Sequence, residues 1–258
     1  MKNELLLLAG SDIPFPEAQV TIHQPTLKEI GYIGEKAFFI GCGLLDFSKN
    51  LLNESDKNRL ANYDDFEILM TIMINKTDET REIVNSAFLV LSLIFPLYEV
   101  CVRKDEVAII LIKDNHEFKI NKINFPIFKK NFIHMFNLKD IDKDFENYNP
   151  AGSMAEKIAN KFKKRQEQLL KIKSKNNNTK ENFSILNKYA SILAVGLQKD
   201  LNSLMQYTIY QLYNEFQRFQ MKMQWDAYIQ AKMAGAQDLE EIDNWMSDLT
   251  QDKNKNKK

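Results

Sequence analysis

The sequence predicts an α+β protein: an N-terminal α+β domain with a small antiparallel sheet, followed by an all-α C-terminal domain. Three observations carry that prediction. Between Tyr98 and Ile120 apolar residues alternate at period two, as in a strand with one buried face. From Asp200 to Gly235 they recur at steps of three and four, as on one face of a helix. Between these stretches stands Asn149-Pro150-Ala151-Gly152, a cluster that breaks either kind of element. The expected organisation is an α+β domain over 1–147, a basic helix and linker over 148–182, a helical domain over 183–250 and a disordered charged tail over 251–258.

In chain order, Leu5 to Leu8 and Gln19 to His23 read as short strands, joined through Ile13-Pro14-Phe15-Pro16, whose prolines hold the chain extended. Thr26-Leu27-Lys28-Glu29 has the form of a capping box and starts a helix near Leu27. Gly31, Gly34, Gly41 and Gly43 then imply a break or close packing. Phe66, Leu69, Met70 and Met73 mark one helix. Ile83, Val84, Ala87, Phe88, Leu91 and Phe95 mark the next, with a start signal at Thr77-Asp78-Glu79 and a stop at Pro96. A three-stranded meander follows, turning at Lys104-Asp105 and Asp114-Asn115. Asn124 is read as the cap of a helix that turns Phe128, Phe132 and Phe136 inward.

Beyond the boundary, Ser153-Met154-Ala155-Glu156 opens a basic helix. A further helix runs from Phe183 to about Val195 and ends at Gly196. One long helix is expected from Asp200 to Gly235, and another from Leu239 through Trp245 to Leu249. The long helix carries Leu201, Leu204, Met205, Thr208, Ile209, Leu212, Phe216, Phe219 and Met223 on a face that must be buried. Its neighbouring face holds Tyr207, Tyr210, Tyr213, Gln217, Gln220, Gln224 and Tyr228, with apolar bodies and polar tips. Such a face suits either a binding partner or another helix of the same chain. As a partner surface it is represented by Tyr210, Tyr213, Gln217, Arg218, Gln220 and Trp245. Met205, Met221, Met223, Met233 and Met246 lie in the same region, where thioethers adapt to varied apolar shapes or fill a core.

The composition excludes several classes of function. Residues 1–146 hold 17 Lys and Arg against 23 Asp and Glu, a net of −6, and the remaining 18 against 12 give +6. Lys157, Lys161, Lys164 and Arg165 are the candidate phosphate contacts of the basic segment 157–175, but they lack interleaved aromatics, so a solvated face is the expected reading and nucleic acid is not the expected partner. Cys42 and Cys101 are too few for a disulfide framework and suit a reducing cytoplasm. His23, His116 and His134 stand far apart without metal-ligand spacing, and Asp140, Asp142 and Asp144 lack the glycine and distal carboxylate of a calcium loop. No phosphate loop, dinucleotide fingerprint or nucleophile elbow is present. The longest apolar stretch, Ala87 to Leu97, is too short for a membrane span. The expectation is a non-enzymatic protein with no catalytic residues, cofactor, metal or membrane anchor.

Two segments resemble the tail and baseplate assembly chaperones of tailed bacteriophages. The first runs from Ile13-Pro14-Phe15-Pro16 through Thr26-Leu27-Lys28-Glu29-Ile30 to Ile33-Gly34-Glu35-Lys36-Ala37-Phe38-Phe39. The second runs from Phe216-Gln217-Arg218-Phe219 through Ala231-Lys232-Met233-Ala234-Gly235 to Asp243-Asn244-Trp245-Met246. The resemblance is one of style and order and rests on no diagnostic motif. It implies a cytoplasmic protein of the infected host that binds other tail proteins, such as a tape measure or baseplate hub component, with no cofactor. Homo-oligomerisation is compatible with it. A structural subunit retained in the virion and a nucleic-acid-binding factor using 157–175 stand as the alternatives.

Overall fold

A computed structural model of the protein describes residues 3–49, 58, 60–138, 184–237, 239, 242 and 244–247. The expected boundary segment 148–182, the acidic stretch 140–144 and the tail 251–258 lie outside these residues. The described chain falls into two units, one of residues 3–138 with 184–213 and one from 214 onward. The α+β class expected from the sequence is the observed one, with small antiparallel sheets among helices and then helices alone.

The first unit opens with α1 (Glu4–Ala9), where the sequence suggests a strand. A short leucine run has no period that separates the two. Gly10 decides the outcome: at φ 67° it caps the helix in the left-handed conformation, and its N–H returns to Leu7 O at 3.1 Å. Strands β1 (Ile13–Phe15) and β2 (Val20–Ile22) pair antiparallel, Ile13 opposite Ile22 and Phe15 opposite Val20, with all four side chains buried. The proline-bearing segment is therefore itself a paired strand. Pro14 sits on an edge, where its missing N–H costs no ladder bond.

Helix α2 (Leu27–Ile33) begins at the expected capping box: Thr26 Oγ1 accepts from Glu29 N at 3.2 Å, and Glu29 Oε2 accepts from Thr26 N at 2.7 Å. The break falls at Gly34, and α3 (Glu35–Leu45) follows. Helix α4 (Asp65–Ile74) has a second capping box, Asp64 with Glu67. Helix α5 (Arg81–Ile94) starts later than Thr77-Asp78-Glu79, because Thr77 and Thr80 use their hydroxyls on each other's amides. Helices α3 and α5 pack closely at Gly41, where an added Cβ would lie 2.3 Å from Ser86 O.

The meander is β3 (Glu99–Arg103), β4 (Ala108–Lys113) and β5 (His116–Ile120), in that order across the sheet. Asp114 and Asn115 both have positive φ, as a two-residue hairpin matched to strand twist requires. One face presents Val102, Ile109 and Ile120 in a row, beside Val100, Leu111 and Phe118. The other carries Arg103 paired to Glu117 and Glu106, and Lys119 paired to Glu106. These pairs raise the Arg103 guanidinium and hold both glutamates below the usual carboxylate range. Their aliphatic stems flank Ile110, which is fully buried although it lies on the charged face.

Helix α6 (Phe125–Phe136) supplies the spine of the core. Phe128, Phe132 and Phe136 stand at successive turns and are fully buried, as expected. Their rings meet one another at 5.7 and 4.9 Å, and they reach Phe15, Phe95 and Phe38 at 6.2, 6.1 and 5.0 Å. Asn124 occupies the expected N-cap position, but its side chain accepts no bond from the first amides of the helix. Its Nδ2 donates to Lys119 O at 2.9 Å and Glu17 O at 3.2 Å, stitching the sheet and the first hairpin to the start of α6.

The chain resumes at α7 (Ile185–Leu197), and α8 (Leu201–Leu204) follows. Helix α7 runs past Gly196, and Gln198 provides the left-handed cap instead. Both helices belong to the first unit, and the start of α7 is tied to α3 by hydrogen bonds: Glu35 Oε1 accepts from Ile185 N at 2.8 Å and Leu186 N at 3.2 Å. The long helix expected from Asp200 is interrupted. The first amides of α2 need acceptors, and Leu27 N and Lys28 N donate to Tyr207 O at 2.8 Å and Met205 O at 3.0 Å. Thr26 bridges Thr208 as an isolated ladder pair. Carbonyls used in this way cannot continue a helical ladder, so α9 (Ile209–Met233) starts afresh with its own reciprocal cap between Thr208 and Gln211.

Candidate protein-binding surface

The side chains expected to form a partner surface come from α9 and the turn after it, and the structure divides them. In the first unit, Tyr213 is 3% exposed and meets Tyr189 of α7 edge-on at 5.3 Å. It shares its side of the helix with the buried Ile209, Leu212 and Phe216, so it belongs to the core and leaves the candidate surface. Tyr210 is half-buried against His134 at 5.8 Å. Burial pushes the Tyr210 phenol up, reinforced by Glu4, and pushes the His134 imidazole down. Gln211, one residue on, donates to Leu8 O at 2.9 Å and ties α9 to α1.

In the second unit, Gln217 and Arg218 are half-buried and Gln220 is exposed. Arg218 and Trp245 are brought together: Arg218 Nη1 donates to the carbonyls of Trp245, at 2.8 Å, and of Ser247. The described residues 244–247 form a turn rather than the expected helix, with Asn244 Oδ1 accepting from Met246 N at 3.0 Å and Asn244 O from Ser247 N at 2.8 Å. The guanidinium is therefore a clamp that holds this turn by its backbone, with Trp245 half-buried and Met246 exposed. Farther along α9, Trp225 lies 5.9 Å from Tyr228, and the Lys232 ammonium stands over Tyr228 at 5.7 Å.

The residues that sequence reasoning undervalued are the uncharged ones between these clusters. Met223, Gln224, Ala227 and Gln230 are exposed and continue the side begun by Gln220. Met223 was read as part of the buried line, yet it is 54% exposed. The signal that could have found this side is the absence of charge at 220, 223, 224, 227 and 230 within a stretch that holds Lys222, Asp226 and Lys232. Lys157, Lys161, Lys164 and Arg165 lie outside the described residues.

Elsewhere in the first unit, a cleft of about 390 Å³ is lined by Lys49, Asp64, Asp65, Phe66, Lys122 and Lys129, among others. Its charges are matched internally: Lys122 pairs with Asp64 and Glu67 at 2.8 and 2.9 Å, and Lys129 donates to Phe47 O at 2.5 Å beside Asp65. Cys42 is buried, and burial, with Asp46 nearby, pushes its thiol well up, away from nucleophilic use. Among the described residues, no three His, Cys, Asp or Glu side chains converge as a metal site would need. No described helix is long and apolar enough to cross a membrane.

Comparison with known proteins bears on the same region. Residues 175–250 match the family model described as the YomV second domain, a phage-associated family. The match spans 76 of 258 residues and takes in α7, α8, α9 and the clamped turn. Neither a curated protein nor a solved structure matches the chain.

Proposed function

We propose that this protein is a non-enzymatic phage tail or baseplate assembly factor that acts in the cytoplasm of the infected host, holding other tail proteins through its C-terminal helices. The observation that supports this most directly is the match of 175–250 to a phage-associated family model, over the segment that bears the uncharged side of α9 and the turn clamped by Arg218. A client helix that still lacks its neighbours in a tail presents apolar surface. A cover for it needs adaptable groups such as methionine, glutamine and aromatic rings, with little charge to desolvate. Gln217, Arg218, Gln220 and Trp245 of the second unit frame that surface.

Co-expression with candidate tape-measure and hub proteins, followed by affinity capture, tests the reading. The expected result is a stable complex that Trp245→Ala weakens by about tenfold or more, as truncation of an aromatic anchor does. Arg218→Ala, which frees the turn without touching the indole, weakens it less. Failure of every tail protein to co-purify would overturn the proposal. Stoichiometric recovery in purified virions would instead identify a structural tail subunit using the same surface.

A further inference from the structure

The meander leaves one of its edges open. In an antiparallel pair, alternate residues of each strand exchange backbone bonds with the neighbour, and the others direct theirs away. The turn over 104–107 closes on Arg103 and Ala108, so Glu99, Cys101 and Arg103 bond to β4, while the N–H and C=O groups of Val100 and Val102 point off the sheet. Among the described residues, no backbone group from another element bonds to either valine. The opposite edge differs, because Asn124 Nδ2 occupies Lys119 O on β5. The valine side chains are also incompletely covered: they are half-buried, whereas Ile109 and Leu111, beside them on the same face, are fully buried. We propose that β3 pairs antiparallel with β3 of a second copy about a two-fold axis at Cys101, joining two three-stranded meanders into one continuous sheet.

The sequence of the edge selects a second copy and its register. Around Cys101 the strand reads Glu99-Val100-Cys101-Val102-Arg103, with opposite charges equally far from the centre. Residues directly opposite in an antiparallel pair project from the same face. With the axis at Cys101, Glu99 therefore stands opposite the partner's Arg103, and Arg103 opposite the partner's Glu99, on the face that already carries the charged side chains. Val100 exchanges both backbone bonds with the partner's Val102, and Val102 with the partner's Val100, so the outward groups of both valines are used. Arg103 can take the further carboxylate: Nη1 and Nη2 donate to Glu106 and Glu117, and Nε donates to neither. The neighbouring registers lose this match. An axis at Val100 sets Cys101 against the partner's Glu99, and an axis at Val102 sets Glu99 against the partner's Asp105. The pairing uses the first unit and needs no tail protein, so its failure and the failure of the assembly reading are distinguishable.

The test uses the full chain alone, kept reduced, with light scattering or sedimentation across a range of concentrations, and a concentration-dependent dimer is expected. Glu99→Lys, which sets a lysine against the partner's Arg103 at two symmetric positions, is expected to weaken it by about tenfold. Val102→Pro, which removes an outward N–H without touching a bond to β4, is expected to abolish it. Cys101 reports the register. On the axis the two copies of Cys101 face each other without mutual backbone bonds, their Cα atoms about 4.5 Å apart, within the reach of a disulfide. With diamide as the oxidant, the parent chain is expected to link to itself and Cys101→Ser is not. Glu99→Cys in a Cys101→Ser background is also expected not to link, because four residues of strand set the two thiols about 13 Å apart. A monomer at every concentration, a dimer indifferent to Glu99→Lys, a dimer that survives Val102→Pro, or self-linking of Glu99→Cys as efficient as that of the parent would each overturn the proposal. Far-UV circular dichroism verifies the fold of every variant, and should Val102→Pro unfold, Glu99→Lys and the cysteine variants decide.

Discussion

Val107 stands at φ 44°, in the left-handed region, where a β-branched side chain crowds its own backbone. It is also exposed, so its side chain adds little burial in return. Val107→Gly is expected to stabilise the protein by about 1 kcal/mol, seen as a higher midpoint in urea unfolding. Gly41 is the opposite case: its Cβ position is occupied by the Ser86 carbonyl, so Gly41→Ala is expected to cost about 1–3 kcal/mol as α3 and α5 are forced apart. Asn124→Ala leaves two carbonyls without their donor and is expected to cost about 1–3 kcal/mol by the same measurement. Of these three residues only Gly41 was legible in the sequence, as one of four glycines that signalled close packing. The conformation of Val107 is set by the turn that Arg103 and Ala108 close, which composition does not announce, and the Glu17 partner of Asn124 is distant in sequence. Tyr213 was misplaced for a related reason: helical spacing assigns it a side, but whether α7 covers that side is decided by tertiary contact.

At the scale of elements, the phenylalanine helix α6, the meander and the Thr26–Glu29 capping box were read locally, because periodicity and turn chemistry agree there. The break before α9 was missed because the end of one element is completed there by another. Thr208-Ile209-Tyr210-Gln211 has the capping-box pattern, yet it sits inside an unbroken helical period and was absorbed into it. The interruption became visible only with α2, whose free amides take the carbonyls of Met205 and Tyr207. Thr208→Ala is expected to destabilise the protein by about 1 kcal/mol. Hydrogen exchange should show the loss first at the amides of Leu27, Lys28 and Gln211, and equal exchange at all three in the variant and the parent would contradict the assignment.

For the molecule as a whole, acid is expected to be the destabilising direction. His134 is held below its ordinary value by burial, so the neutral ring is favoured and its contribution is present above about pH 6.5 and lost below. Burial raises Glu29, but hydrogen bonds from Thr26 and the nearby His23 outweigh it and hold the carboxyl low. Asp64 is likewise raised by burial and lowered further by Lys122 and the amide of Glu67. Glu67 is lowered first by the Asp64 amide and then by Lys122. Carboxylates with depressed folded values stabilise above their unfolded values and lose that stabilisation as pH falls through the folded ones. Thermal midpoints should therefore decline in two stages from pH 7 to pH 3, and His134→Gln should remove the upper stage.

The first unit takes residues 184–213 from beyond the expected boundary, and Glu35 holds the start of α7 by two amides. This arrangement has a consequence for biosynthesis. A ribosome that has released residues 1–138 has not yet delivered the carbonyls that Leu27 and Lys28 require, nor the amides that meet Glu35. The nascent N-terminal half must wait for more than sixty further residues to be translated, and a stop codon placed at the proline-glycine breaker would leave that half unable to close.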